Sequence, residues 1–464
     1  MSSYVPSLGQ RRHLFATSLQ ASLAAVGVWL STAMGEHLPQ LARFRWWVLA
    51  IVGAFVVTSS SRRLLLVGVC LAGAAGGAAA WTAPVVSTVA ECTGVARVVS
   101  DPAPLFGGTQ VVLSLHGSRL KALAHGIAGS RLTQRSAGES VGVTGVCSPL
   151  SGEYARQDRV RHLVGVMVVT EATERFDEGS VVSRTANRMR AAMQRGVAHM
   201  RPETKSLFTG LVIGDDRLQP REMLQRFRQS GLSHVCAASG QNVAYLLAVV
   251  GPFIRRRSPR MKWIVTMAVI GWFVVLTRAE PSVLRAGVMA AAVATNAARR
   301  APMNARVVLA ISVVALLLID PMLAWSVGFA LSVGATAGLA WLSAPLGRVC
   351  GGRGVLAATL AAQLGTFPIS LYVFGSVPVV SLIANPLALP VAGAVMTIGL
   401  PVSLAAASLP TVVTPVSVLM SVPVVWVDSV ARVASRVSPM GAVNVVLWCL
   451  VGCWVLWRWR TKGV

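Results

Sequence analysis

Residues Gly231 to Arg257 read GLSHVCAASGQNVAYLLAVVGPFIRRR. The polar half (Ser233, His234, Ser239, Gln241, Asn242) runs without a break into Ala-Tyr-Leu-Leu-Ala-Val-Val, and no charge intervenes before Arg255. The polar half is therefore expected at membrane depth, where hydrocarbon offers no water and each such side chain must face protein or a wet cavity. At about 100° per residue, His234, Ala238, Gln241, Asn242 and Tyr245 share a stripe, with Ser239-Gly240 as a weak point. The stripe reads as the lining of a pore or site. The alternative is that small and hydroxylated residues here let helices pack closely.

Composition agrees with a membrane setting. Of 464 residues, 54% are hydrophobic and 13% charged, with a mean hydropathy of +0.64, which excludes a soluble protein in practice. The net charge of +25 is carried by 38 Arg and only 4 Lys. Arg grips phosphate bidentately, so a phosphate polymer is a candidate partner, although codon bias and positive-inside loops account for the same count. Seven cysteines show no metal-ligand spacing, and neither metal nor cofactor is expected. Cys92 and Cys147 stand apart as the two in a long non-membrane insert. They are a disulfide candidate if that insert faces an oxidising compartment.

The chain divides into four parts. Residues 1–83 hold N-terminal apolar runs (14–34, 46–58 and 64–83), with Arg62 and Arg63 between the second and third. Residues 84–180 change to short alternating runs, CTGVARVV, TQVVLSL, SRLKALA, SVGVTGVC and HLVGVMVV, separated by Gly, Pro and Ser. Five short strands of this kind suit a small barrel. Residues 181–230 read as basic amphipathic helices. Residues 231–464 hold nine apolar segments nearly end to end, with basic clusters at 255–262, 299–306, 348–353 and 458–462 on one side, the cytoplasmic one. Arg432 and Arg436 fall on the other side. Asp320-Pro321 has the form of a helix N-cap followed by N1. Asn385-Pro386 implies non-helical backbone at membrane depth, with Gln363, Thr366 and Ser370 close to the same cavity. Arg285 is the clearest intramembrane charge, sharing a stripe with Met289 and Asn296, and Glu280 or a bundle carbonyl is its expected partner.

GLSH followed by A-x-SG-x-N resembles the signature of the ComEC family, membrane channels for incoming DNA in natural transformation. Three later stretches match in order: LTRAEPSVLRAGVM from Leu276, LIDPMLAWSVGFALSVGATAGL from Leu318, and QLGTFPISLYVFGSVPVVSLIANPLALP from Gln363. The resemblance departs at Arg278, where relatives commonly carry Gly, and at Asn242, where they carry His. Many relatives also end in a metallo-β-lactamase-like domain. No HxHxDH array occurs among the seven His of this chain, and no enzyme is expected.

The expectation is a polytopic α-helical membrane protein of about 12 transmembrane helices with an inserted OB-like barrel. The resemblance implies that it carries single-stranded transforming DNA across the cytoplasmic membrane. His234, Ser239, Gln241, Asn242, Arg285, Asn296, Gln363 and Asn385 would line the path. Arg97, Arg119, Lys121, Arg131 and Arg135 would serve the insert, which has hardly any aromatics for base stacking: Phe106, Tyr154 and Phe176. Lipid, an outer DNA receptor and a separate ATP-driven motor would be partners, since the chain has no G-x-x-x-x-G-K-S/T nucleotide site. A transporter of a small anionic solute remains the alternative. An intramembrane enzyme using Ser239 and His234 is disfavoured, because five helical residues set them about 140° apart.

Overall fold

A computed structural model describes residues 8–44, 62–105, 107–236, 240–299, 304–352, 354–439 and 441–461. The second apolar run, 46–58, and Ser239 lie outside them. Two helices, α1 (Leu8–Met34) and α2 (Arg62–Thr82), pack against each other at the start of the chain. Their contact needs small residues: a Cβ on Gly77 would sit 2.1 Å from the Thr32 carbonyl oxygen.

The insert is a mixed six-stranded sheet built from β1 (Ala90–Val98), β2 (Ala103–Leu105), β3 (Gly108–Leu115), β4 (Ser118–His125), β5 (Ser140–Ser148) and β6 (Gly165–Asp177). Antiparallel pairs join β1 to β5, β5 to β6, β3 to β4 and β2 to β3, and β4 runs parallel to β6. β1 also pairs with β3, Ala96 opposite Leu115. Alternation is strict where it matters: Val111, Leu113 and Leu115 of β3 are buried together with Leu120, Ala122 and Ala124 of β4. A short helix, α3 (Gly126–Thr133), buries Ala128 and Leu132 under the same sheet, and α4 (Ala155–Val160) precedes β6. Cys92 on β1 and Cys147 on β5 are disulfide-bonded.

Three helices connect the insert to the bundle: α5 (Val181–Gly196), α6 (Pro202–Ile213) and α7 (Arg221–Gln229). Ser180 caps α5, accepting a hydrogen bond from the Ser183 amide. Gly214, at φ +72°, ends α6 in the left-handed region. α6 is more deeply placed than its short apolar run suggests, with Leu207 through Ile213 wholly buried in the largest core cluster.

A four-residue helix, α8 (Ser233–Cys236), opens the last part. Nine longer helices follow among the described residues: α9 (Gly240–Ile254), α10 (Pro259–Leu276), α11 (Pro281–Ala298), α12 (Ala305–Ile319), α13 (Val327–Val349), α14 (Gly354–Phe374), α15 (Ser381–Ala407), α16 (Pro410–Arg436) and α17 (Gly441–Thr461). Six of them, α10 and α13 to α17, are long and apolar enough to cross a membrane. Their starts obey simple chemistry. Ser258, Asn304 and Ser326 cap α10, α12 and α13 through their side chains, and Pro occupies the first turn of α10, α11 and α16. Asp320 caps the short 3-10 turn Pro321–Trp325, accepting from the Met322 amide at 3.0 Å.

One expectation is corrected. The backbone at Asn385-Pro386 is helical, because α15 starts at Ser381 and continues through Pro386, Pro390 and Pro401. The non-helical stretch lies just upstream, at residues 375–380, between α14 and α15. Asn444 of α17 satisfies its backbone there, donating to the Val377 carbonyl at 2.9 Å and accepting from the Val379 amide at 3.0 Å.

The closest helix pair in the bundle is α13 with α14, joined through glycine. A Cβ on Gly365 would meet the Gly334 carbonyl oxygen at 2.1 Å, whereas one on Gly347 would meet nothing within 4 Å. Gly365→Val should therefore destabilise the bundle by about 2 kcal/mol or more, the usual cost of overpacking, while Gly347→Val leaves stability unchanged. Thermal unfolding of the purified protein in detergent micelles checks both.

Candidate functional site: a cavity shared by insert and bundle

A single cavity of about 2890 Å³ reaches from the insert into the helical bundle. Arg97, Arg119 and Arg161 of the insert line it, as do His234, Gln241 and Tyr245 from the stretch that opened the reading of the sequence. Arg285, Gln363 and Asn385 line it from three further helices, α11, α14 and α15. Five of the eight expected path residues are thus gathered around one space, and Ser239 lies outside the described residues.

Asn242 and Asn296 do not face this space. Asn242 is buried, and its Nδ2 donates to the Leu211 carbonyl at 2.9 Å, tying α9 to α6. The expected stripe was drawn too wide: neighbours on a helix point about 100° apart, and only Gln241 of that pair faces the cavity. Asn296 donates at 2.8 Å to the Ala292 carbonyl of its own helix.

The insert's expected cations divide in the same way. Lys121 pairs with Asp158 at 2.9 Å, and Arg131 bonds the Ala172 carbonyl and Glu174, each at 2.7 Å. Arg135 lies 3.7 Å over the Phe176 ring. These three are engaged within the insert, whereas Arg97 and Arg119 are exposed toward the cavity.

Arg285 is the deepest cation of the lining, only 6% exposed. Its Nε donates to Ser332 Oγ at 2.7 Å and its Nη1 to Thr336 Oγ1 at 2.9 Å, both on α13. Among the described residues no carboxylate pairs with it, so neither Glu280 nor a bundle carbonyl fills the role expected of them. Gly240 makes room for the guanidinium, since a Cβ there would stand 3.0 Å from Nη2. Ser332 and Thr336 are four residues apart in an apolar helix. That i, i+4 polar pair was the signal available in the sequence and not used. Gln363 Nε2 donates to Ser381 Oγ, while Gln363 Oε1 and Asn385 Oδ1 are buried without a partner among the described residues.

Around the cavity mouth lies a charge cluster that the sequence reading did not anticipate. Asp215, just past α6, accepts both Nε and Nη2 of Arg217 at 2.7 Å and Nη2 of Arg190 at 2.7 Å. Asp101, in the loop after β1, accepts Arg278 at 2.8 and 3.0 Å and lies 3.2 Å from Arg190. Arg190 also donates to the Leu276 carbonyl, and Arg217 to that of Pro102. Insert, α5, the loop after α6 and the α10–α11 turn therefore meet in one knot. Arg278 and Ala279 both adopt left-handed backbone, φ +59° and +57°. Such backbone is strained for residues other than glycine, and the Arg278–Asp101 bonds offset the cost here.

Burial alone would push the Asp101 carboxyl up, but Arg190, Arg278 and Arg217 outweigh it and bring it down to about 2. Asp215 is likewise lowered against its burial, by Arg217 and Arg190. A second tie joins His162 of the insert to Asp320, Nε2 to Oδ2 at 2.9 Å. Arg226 of α7 reaches Asp428 of α16, which also holds Arg432. The positive charge at that end of α16 is thereby partly neutralised.

The fold is a helical bundle with six helices long and apolar enough to cross a membrane, and a large cavity runs into it from the β-rich insert. Residues 211–462, more than half of the chain, match the competence protein family, and the chain belongs to it. ComE operon protein 3 of Bacillus subtilis (strain 168) is 31% identical over 194 residues, covering 41% of this chain. The match spans 25%, a quarter, of that relative's length. No solved structure matches.

Because the Asp101 carboxyl lies below its unfolded value of 3.8, its contribution is complete above about pH 4 and is lost as pH falls toward 2. The contribution is about 2 kcal/mol from the shift alone. Asp101→Asn should lower the melting temperature at pH 5 to 8, and the gap to wild type should narrow below about pH 4. Melting curves across that range check it.

Proposed function

We propose that this chain passes single-stranded transforming DNA across the cytoplasmic membrane during natural competence. The observation that carries the reading is the continuous cavity that takes Arg97 and Arg119 of the insert, then His234, Gln241 and Arg285, then Gln363 and Asn385, into one lining. A phosphate polymer needs cations along its path that do not trap it, and Arg97, Arg119, Arg161 and Arg285 place cations along a lining that is otherwise largely apolar. Membership of the competence protein family supports the same reading. Size argues against a small anionic solute, because about 2890 Å³ is roughly three times the upper range of small-molecule pockets.

In this reading the insert, residues 84–180, faces outward and receives the strand. It is an OB-like barrel, supported by the pairing of β1 with both β5 and β3 and by the parallel contact of β4 with β6. Residues 231–464 form the channel, and with the N-terminal segments the helices cross the membrane about 12 times. Four shorter apolar helices beside the six long ones support that count. A DNA receptor outside and an ATP-driven motor inside are the partners. We assign this chain no catalytic step.

Replacing Arg285 with Leu should reduce import of labelled DNA into the cytoplasm by tenfold or more, an order-of-magnitude expectation for losing a desolvated phosphate contact. DNA binding at the cell surface and the amount of folded protein in the membrane should stay at wild-type levels. Normal import by the Leu variant would remove Arg285 from the path. Normal import by cells lacking the protein would end the transport reading.

A further inference from the structure

Apart from the His234 and Tyr245 rings, the lining groups named above are charges, hydroxyls and amides, none of which offers a flat apolar face to a base. On the insert, Phe176, with Arg135 3.7 Å over its ring, and Tyr154 are both exposed, but neither lines the cavity. The cavity itself has what the insert lacks. Phe374 at the end of α14, Phe367 one helical segment deeper, and Trp448 of α17 all line it. Phe374 is 39% exposed. Arg228 of α7, also in the lining, places its guanidinium carbon 4.8 Å over the Phe374 ring, and among the described residues no carboxylate pairs with it.

Phe367 and Trp448 are held in place by neighbouring groups. Trp448 Nε1 donates to the Val377 carbonyl at 2.8 Å, the same carbonyl that Asn444 grips, and Phe367 meets the Trp448 ring edge-on at 5.7 Å. An aromatic belt at a membrane interface would turn such rings to lipid. Here they line the cavity, on helices other than the one that carries Arg285.

We propose that Arg228–Phe374, with Phe367 and Trp448 in the same lining, is a stacking platform for unpaired nucleobases, so that the cavity recognises a single strand by its bases as well as by its phosphates. The proposal rests on the transport reading and deepens it. Arg over an aromatic ring presents flat faces of matching width to a base, while its charge lies within reach of the flanking phosphate. Stacking tolerates every sequence because every base has a π-face. A duplex, whose bases are already stacked and paired, gains nothing from it.

The test uses full-length protein in detergent micelles and fluorescence anisotropy of labelled probes: a short single-stranded oligodeoxynucleotide, an abasic strand of the same length and charge, and a duplex. Wild-type protein should bind the single strand about tenfold or more tighter than the abasic strand, as one or two stacked bases require. Phe374→Leu should abolish most of that ratio while leaving abasic binding unchanged, and Phe374→Trp should restore it. Arg285→Leu should weaken the two strands alike. Equal binding of the single and abasic strands, or an unchanged ratio in Phe374→Leu, overturns the platform and leaves transport standing. Failure of every probe to bind overturns both.

Discussion

The insert's position depends on a buried exchange of charge between Asp101 and Asp215 on one side and Arg190, Arg217 and Arg278 on the other. Taking such ions out of water costs several kcal/mol each, and the attraction repays this only with good geometry and full hydrogen bonding. Both conditions are met here. Each carboxylate accepts from at least two donors, and spare guanidinium protons go to the Leu276 and Pro102 carbonyls and to Asn187. Because the partners come from four separate elements, the knot stabilises only one arrangement of insert and bundle. The cavity mouth, shared between the two, keeps its shape for that reason.

Beneath the mouth, two packing regimes divide the bundle. Where helices must hold without a hydrophobic driving force, glycines bring backbones together, as at Gly334, Gly338 and Gly365 between α13 and α14. Elsewhere α5, α6 and α7 plug the side of the bundle with a large apolar cluster around Phe208, Phe227 and Leu211. His234, Gln241, Arg285, Gln363 and Asn385 are turned to the cavity, whereas Asn242 and Asn296 bond backbone carbonyls. That sorting follows from the bilayer itself, in which a lipid-facing Arg, His or amide has no partner.

Much of this was legible in the sequence because it follows from one-dimensional patterns. Nine apolar segments became the nine helices after residue 239, and the alternating runs became strands. Intramembrane polarity pointed to His234, Gln241, Arg285, Gln363 and Asn385, which share one space. What stayed hidden depends on three-dimensional partnership. Nothing in the spacing of Asp101, Arg190, Asp215 and Arg278 says that they meet. Lys121, Arg131 and Arg135 resemble free cations until Asp158, Glu174 and Phe176 are seen beside them. Pro386 misled for a different reason: a proline six residues into a helix costs one hydrogen bond, and a membrane helix embedded among neighbours tolerates that loss.

On the transport reading proposed above, the partners of Arg285 explain why a path for phosphate would hold its cation this way. A carboxylate beside it would neutralise the charge, and a passing phosphate would have to break an ion pair in a poorly solvated place, at a cost of several kcal/mol. Ser332 and Thr336 instead orient the guanidinium with neutral dipoles and leave its charge uncancelled. The third nitrogen, Nη2, is admitted by Gly240. Hydroxyls also make the grip shallow, since they can turn between the guanidinium and an incoming oxygen without leaving an orphaned charge behind. A site of this kind attracts each phosphate and releases it to the next, the balance that conduction requires of any binding station along a pore.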